Sequence, residues 1–185
     1  KLYSILKPAI NLLAGIPSIV YGFFGLVVIV PLMQDLFDYG GKGLLTASIL
    51  LGIMILPTII QVAESSIRAV PESYYEGALA IGATHERSVF SVLVPAARSG
   101  ITAGVILGLG RAIGETMAVI MVAGNQAVLP KGLLSGVRTL TANIVLEMGY
   151  AADLHREALF GTGVVLFVFI LIINLSISLV KRRAV

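Results

Sequence analysis

The sequence lacks residues on which several common protein chemistries depend. It contains no cysteine among its 185 residues, so disulfide bonds, thiolate metal ligands and cysteine nucleophiles are all excluded. Its two histidines, His85 and His155, lie far apart in the chain, and neither has a cluster of possible metal ligands around it. We therefore expect no bound metal and no cofactor, and we assign no role to either histidine.

Charged residues are also scarce. They make up 12% of the chain, whereas soluble globular proteins carry about 25%, and hydrophobic residues make up 57%. The mean hydropathy is +0.99, and this composition predicts an integral membrane protein. The chain opens on Lys1 and shows no secretory signal, so we expect it to be a fragment whose N-terminal part is missing.

Four stretches are long and apolar enough to cross a hydrocarbon core, which takes about 20 residues. They cover residues 8–34, 44–63, 99–123 and 158–180. Any one of them could instead be a buried helix of a soluble protein, but four in one short chain favour a membrane bundle. The sequence therefore predicts an all-α, polytopic membrane domain over residues 1–185, in which Pro17, Pro31 and Pro57 bend their helices.

The basic residues indicate which side each loop occupies, because lysine and arginine are enriched in cytoplasmic loops. If both ends of the chain are cytoplasmic, eight basic residues lie inside and four lie outside. The inner set is Lys1, Lys7, Arg68, Arg87, Arg98, Lys181, Arg182 and Arg183, and the outer set is Lys42, Lys131, Arg138 and Arg156. This orientation favours a cytoplasmic loop at residues 70–98 and an external loop at residues 124–157.

The cytoplasmic loop carries the local signals of two short helices. Pro71 suits the first turn of one helix, and Gly82 is a natural stop at its C-terminal end. Thr84 can cap a second helix that runs until Pro95. On periodicity alone, residues 71–95 form either a compact knob that projects into the cytoplasm or a hairpin that lies on the membrane surface.

The spacing within this loop resembles the EAA loop of ABC-importer permeases. The matching residues are Glu76, Gly77 (where the pattern has alanine), Ala78, Gly82 and Pro95. In that family the loop forms coupling helices that sit in a groove of the cytoplasmic ATPase. The resemblance implies that these five positions couple this chain to an ATPase.

The third stretch holds two charges, Arg111 and Glu115, near the middle of the bilayer. A charge there costs about 2.5–3.5 kcal/mol on insertion scales, so it seldom faces lipid. Their spacing places both on one helical face, within reach of a salt bridge. Four glycines predict close packing of the same helix: Gly100, Gly104, Gly108 and Gly114. The charged face turns either to a water-filled path or to a purely structural ion pair at a helix contact.

This third stretch also carries a narrower resemblance. Residues 108–119, Gly-Leu-Gly-Arg-Ala-Ile-Gly-Glu-Thr-Met-Ala-Val, closely resemble phosphate-specific ABC permeases of the PstC type, and so do residues 8–22. The resemblance implies the ABC importer type I, MetI-like permease fold, which usually has more spans than the four expected here. It further implies that Arg111, Glu115 and Thr116 line the pathway of phosphate.

The same resemblance implies a set of partners: a second permease subunit of the PstA type as heterodimer, a cytoplasmic ATP-binding subunit dimer and an extracytoplasmic phosphate-binding protein, with membrane lipid around them and no nucleic acid. The chain has no Gly-x-x-x-x-Gly-Lys-Ser/Thr stretch to hold ATP, so we expect a transporter subunit of the inner or plasma membrane and not an enzyme. Three alternatives stay open. One is a permease for sulfate, molybdate or another oxyanion, and another is a secondary transporter in which Glu115 carries a proton. The third is a scaffold or sensor subunit that binds partners and transports nothing.

The external loop has a roughly helical spacing of apolar residues. Five positions follow it: Leu133, Val137, Leu140, Ile144 and Met148. We expect a re-entrant or interfacial helix there. The charged residues of the loop, Arg138, Glu147, Asp153 and Arg156, form either a docking site for a delivery protein or, as is more usual, a solvated face.

Overall fold

The computed structural model describes the backbone of residues 2–183 and the side chains of residues 3–176. Within those limits the chain is helical, apart from an isolated pairing of Gly124 with Val137. Nine helices follow one another over the described residues: α1 (Leu2–Ala14), α2 (Ser18–Phe37), α3 (Leu44–Arg68), α4 (Glu72–Ala80), α5 (His85–Ala96), α6 (Arg98–Gly114), α7 (Met117–Val122), α8 (Leu140–Met148) and α9 (Asp153–Arg183). The predicted all-α fold is confirmed.

Three of these helices are long and apolar enough to cross a membrane, namely α2, α3 and the Asp153–Ser176 part of α9. Helices α5 and α6 meet at a bend of 67° and satisfy the same criterion only when they are taken together. The described residues therefore provide three spans, or four if this bent pair counts as one. The second span extends beyond the predicted residues 44–63 and reaches Arg68.

The first span predicted from the sequence is wrong in its extent, because residues 8–34 are split between two helices. Proline restricts the residue before it and has no amide hydrogen to donate, so a helix readily ends there. At the break Pro17 has an extended conformation (φ −59°, ψ 143°), and the amide of Gly15 closes a last turn on the carbonyl of Leu12 at 3.1 Å. The span itself begins only at Ser18.

Wide turns let two helices continue through proline. A π turn at Gly25–Ile29 precedes Pro31 in α2, and another at Val89–Leu93 precedes Pro95 in α5. The proline ring crowds the carbonyl four residues earlier, and a turn whose hydrogen bonds reach five residues back relieves that crowding. Neither proline ends its helix.

The most buried part of the chain lies where α2, α3 and α7 cross. Its largest fully buried apolar side chains are Leu50, Met54 and Val122. Two glycines of α2 make the approach close. A β-carbon added at Gly22 would lie 2.8 Å from the Cα of Ala118, and one added at Gly25 would lie 2.8 Å from Leu50. Helix α7 is short, yet its Ala118 and Val122 are completely buried.

Helices α3 and α6 pack against each other in antiparallel directions. Along α6, Gly100, Gly104 and Gly108 meet Ser66, Val62 and Ile59 of α3 in turn. A β-carbon added at Gly104 would lie 3.0 Å from Val62, a tight contact, so glycine favours this close approach. Gly114, which the sequence also assigned to packing, has nothing within 4 Å of an added β-carbon among the described residues.

The bundle has two dissimilar ends. The knob end comprises residues 69–97, and the loop end comprises residues 38–43 and 123–139. At the loop end, three amides at the start of α3 donate to carbonyls of distant segments over 2.7–3.0 Å: Gly43 to Val122, Leu44 to Ser135 and Leu45 to Leu133. The first amides of a helix have no acceptor within that helix. Carbonyls of distant segments therefore serve as acceptors for the start of α3.

Candidate functional site

Arg111 occupies the last turn of α6, opposite the middle of α3. Its Nη1 donates a hydrogen bond of 3.3 Å to the hydroxyl oxygen of Thr58. Both side chains line a cavity of about 510 Å³ between α3, α6 and α9, to which Asn174 of α9 also contributes. The remaining lining residues, Ile106, Leu107 and Gly110, carry no polar side-chain atom. The guanidinium is thus a localised positive group in mainly apolar surroundings.

The predicted salt bridge between Arg111 and Glu115 is wrong, since the described residues include no ion pair between them. Helix α6 ends at Gly114, and Glu115 has an extended backbone (φ −67°, ψ 129°). Its Oε1 accepts a hydrogen bond of 3.1 Å from the amide of Ala118 instead. That amide belongs to the first turn of α7, so Glu115 takes the role of a capping residue.

The third predicted span, residues 99–123, is therefore two helices separated by Glu115 and Thr116. The break is held from two sides. The Thr116 hydroxyl donates to the carbonyl of Gly114 at 3.2 Å, and the Thr141 hydroxyl of α8 donates to the carbonyl of Glu115 at 3.3 Å. Irregular backbone within a membrane is tolerated where protein buries it or where it lines a cavity. Such broken helices expose backbone dipoles that can meet ions.

The knob end is built as the local sequence signals predict. Gly82 has a φ of +87°, its amide donates to Leu79 at 2.9 Å, and the amide of Ala83 donates to Ala78 at 3.1 Å. These paired bonds define a Schellman motif, which ends α4. The Thr84 hydroxyl then accepts from the amide of Arg87 at 3.3 Å and begins α5.

The residues assigned to coupling differ in exposure. Glu76, Gly77, Gly82 and Pro95 are exposed, whereas Ala78 is buried against α5. Two large apolar side chains beside them also face outward: Ile81 is 87% exposed and Phe90 is 72% exposed. Exposed apolar side chains can contribute to a partner surface where they form a patch.

The segment between the third and fourth predicted spans has one helix, and it is shorter than the apolar spacing predicted. Helix α8 covers Leu140–Met148 only, while residues 133–137 follow an irregular path. The prediction fails there because the carbonyls of Leu133 and Ser135 are used to hold the start of α3.

Two of the charged residues that the sequence placed on this segment pair with each other. Arg138 and Glu147 form an ion pair of 2.7 Å with 24% and 17% of their side chains exposed. Glu147 also accepts from the hydroxyl of Tyr150 and lies 3.6 Å from Nε2 of His155. This cluster therefore ties α8 to α9 and is not simply a solvated face.

Sequence reasoning missed a polar cluster between α1 and α3 near the knob end. Glu64 accepts hydrogen bonds from Tyr3 (2.5 Å), Lys7 (3.0 Å) and Arg68 (2.8 Å). The signal was present, because Tyr3, Lys7 and Asn11 recur at helical spacing and form one stripe on α1. Treating residues 8–34 as one span concealed it.

Comparison with known proteins places the chain in a described family. All of residues 1–185 match the family model of the binding-protein-dependent transport system inner membrane component. The chain is 43% identical over 177 residues to a probable ABC transporter permease protein, YqgH, of Bacillus subtilis. It is 41% identical over 180 residues to a phosphate transport system permease protein PstC of Haemophilus influenzae. It is also 35% identical over 192 residues to a probable PstC of Methanocaldococcus jannaschii.

These alignments cover 92%, 86% and 93% of this chain but only 57%, 57% and 61% of the three relatives. The chain thus spans less than two thirds of the length of the proteins it resembles. No solved structure matches it.

Proposed function

The chain belongs to the family of binding-protein-dependent transport system inner membrane components, and from this premise we propose that it contributes the translocation path of a phosphate-importing ABC permease. The observation that carries this proposal is Arg111, a guanidinium that lines an open, mainly apolar cavity between α3, α6 and α9. Phosphate at neutral pH is a mixture of mono- and dianion. A fixed cation is needed wherever such an anion leaves water for apolar surroundings.

Arginine suits this task better than lysine. Its planar group presents five N–H donors in a fixed fork that matches the oxygens of phosphate, and it stays charged at any physiological pH. Among the described residues Arg111 donates only to Thr58, so its other N–H groups remain for an anion. The Arg111 side chain would therefore bind phosphate transiently in the path.

Glu115 and Thr116 have a supporting part in this proposal. Glu115 holds the start of α7 through the amide of Ala118, and the break it stabilises keeps the end of α6 fixed beside the cavity. Thr116 bonds to the carbonyl of Gly114 on the other side of the break. We therefore assign both residues to the geometry of the path, with Arg111 as the group that meets the anion.

The knob end would couple transport to ATP hydrolysis. Its exposed Glu76, Gly82 and Pro95 accompany the uncovered apolar side chains of Ile81 and Phe90, and together they offer a surface that a groove in an ATPase can receive. This assignment places the knob end and both chain ends in the cytoplasm and the loop end outside. The partners are then an ATP-binding subunit dimer, a PstA-like second permease subunit and an extracytoplasmic phosphate-binding protein.

The test is radiolabelled phosphate uptake by the full-length protein with its partner subunits, in cells that have no other phosphate importer. Arg111→Gln should abolish uptake while the complex still assembles, because a neutral amide cannot compensate the anion. Arg156→Gln is the matched control, since Arg156 is exposed on the first turn of α9.

Two outcomes would contradict the proposal. Normal uptake by Arg111→Gln would remove the guanidinium from the path, and uptake in sealed vesicles that persists without ATP would favour the secondary transporter. Competition by excess sulfate or molybdate identifies the alternative of a permease for another oxyanion.

A further inference from the structure

The cavity beside Arg111 contains two more polar side chains to which no role has been given. Thr58 of α3 and Asn174 of α9 line it, each from a different helix. We propose that Thr58 and Asn174 complete, with Arg111, a binding subsite for a tetrahedral oxyanion that carries a proton. The inference rests on the proposed function, because it takes Arg111 to be the cation that attracts the anion.

The hydroxyl of Thr58 is used differently from other hydroxyls on these helices. Serine and threonine within a helix usually donate to the carbonyl four residues earlier. Five hydroxyls do so here: those of Ser48, Ser66, Thr102, Thr162 and Ser176. Among the described residues Thr58 donates to no carbonyl and accepts from Arg111 instead. Its hydrogen is left to donate into the cavity, beside the guanidinium.

Asn174 interrupts an apolar stretch of α9. The most apolar 18-residue window within Asp153–Ser176 has a mean hydropathy of 2.6, which is the highest among the candidate spans of the described residues, and the neighbours of Asn174 are Ile173 and Leu175. Its side chain is exposed on the chain and has no hydrogen-bonding partner among the described residues, and within a membrane an unpaired amide is costly. Because it lines the cavity of Arg111, a ligand bound there would satisfy it.

The three groups differ in what they offer to an anion. Arg111 can only donate, and the Thr58 hydroxyl, which accepts from Arg111, keeps its hydrogen to donate, so both groups suit bare oxygens. The side chain of Asn174 both donates and accepts, and its carbonyl oxygen can receive the hydrogen of a P–O–H group. Sulfate at neutral pH has no such hydrogen. The subsite therefore favours phosphate over sulfate through Asn174.

The experiment measures uptake kinetics of the full-length complex in proteoliposomes, with phosphate alone and with competing sulfate. Thr58→Val and Asn174→Leu should each raise the KM for phosphate about tenfold, as expected for one hydrogen bond to a charged ligand. Asn174→Leu should also weaken the preference for phosphate over sulfate. Thr58→Ser keeps the hydroxyl and should restore the wild-type KM.

Matched controls are available on the same helices. Ser176 lies two residues after Asn174 and Thr102 lies on α6, yet both hydroxyls already bond to their own helix, so Ser176→Ala and Thr102→Val serve as controls. Neither should change KM. The subsite is refuted, and the proposed function is not, if Arg111→Gln abolishes uptake while Thr58→Val and Asn174→Leu leave the KM and the sulfate preference of the wild type unchanged. If Arg111→Gln imports normally, the proposed function fails first.

Discussion

Substitution of Gly108 by alanine tests the packing that holds Arg111 in place. A β-carbon at Gly108 would lie 2.6 Å from Cγ1 and 2.8 Å from Cδ1 of Ile59, whereas ordinary contacts lie at 3.4–4 Å. Helix α6 must therefore move away from α3, or Ile59 must change its rotamer. Gly52 of α3 provides the control, because an added β-carbon there meets nothing within 4 Å.

The expected magnitude follows from comparing the two variants. Overfilling a packed contact costs about 1–3 kcal/mol. Replacing glycine by alanine inside a helix gains up to about 1 kcal/mol, and this gain is common to Gly108→Ala and Gly52→Ala. Their difference thus isolates the steric cost. For a chain of this size each 1 kcal/mol corresponds to about 2–4 °C in Tm.

Thermal unfolding of the detergent-purified protein measures this difference. Gly108→Ala should unfold at a lower Tm than Gly52→Ala by about 2–12 °C, from the product of the two ranges. Its KM for phosphate should also rise, since Arg111 is displaced from Thr58. Equal Tm values for the two variants would show that α3 and α6 do not meet through Gly108, and the placement of the cavity would then be wrong.

Two further predictions concern the ends of the bundle. Gly82→Ala puts a β-carbon on a residue with left-handed backbone, at a cost of about 1–2 kcal/mol. It should lower the ratio of phosphate imported to ATP hydrolysed relative to Gly52→Ala, a control outside the knob end where an added β-carbon meets nothing within 4 Å. Equal ratios would separate the knob end from coupling. At the loop end, the hydrogen bond from Tyr150 and then the Arg138 cation lower the pKa of Glu147 from its usual 4.5. Its folded pKa is depressed, so its stabilisation is present above pH 4.5 and disappears as the pH falls through the folded value. Glu147→Gln should reduce the fall of Tm with decreasing pH. If Tm depends on pH in the variant as it does in the wild type, the pairing of Glu147 with Arg138 and Tyr150 does not stabilise the fold.

Local signals in the sequence predicted local structure well. The stop at Gly82 and the cap at Thr84 each depend on residues within one turn, so the pattern contains all that is needed. The sequence placed Arg111 halfway along one helix, whereas it lies in the last turn of α6, opposite the middle of α3.

The break at Glu115 could not be predicted in the same way. No proline follows Gly114, and helical spacing continues through Thr116 and Met117. Besides local bonds at residues 114–118, the break has a tertiary support, because the hydroxyl of Thr141 donates to the carbonyl of Glu115 from a helix that comes later in the chain. For the same reason the sequence did not indicate a role for Asn174, because its proposed role depends on the cavity that α9 lines.

The main-chain bonds that cap α3 have a consequence for biosynthesis. The amides of Leu44 and Leu45 donate to carbonyls of residues 135 and 133, which are synthesised after α3. Until then, the leading end of the most central span carries bare amides that favour water over lipid. The chain must therefore mature in two stages, with insertion of α3 first and completion of its outer end only after the segment following α7 has been translated.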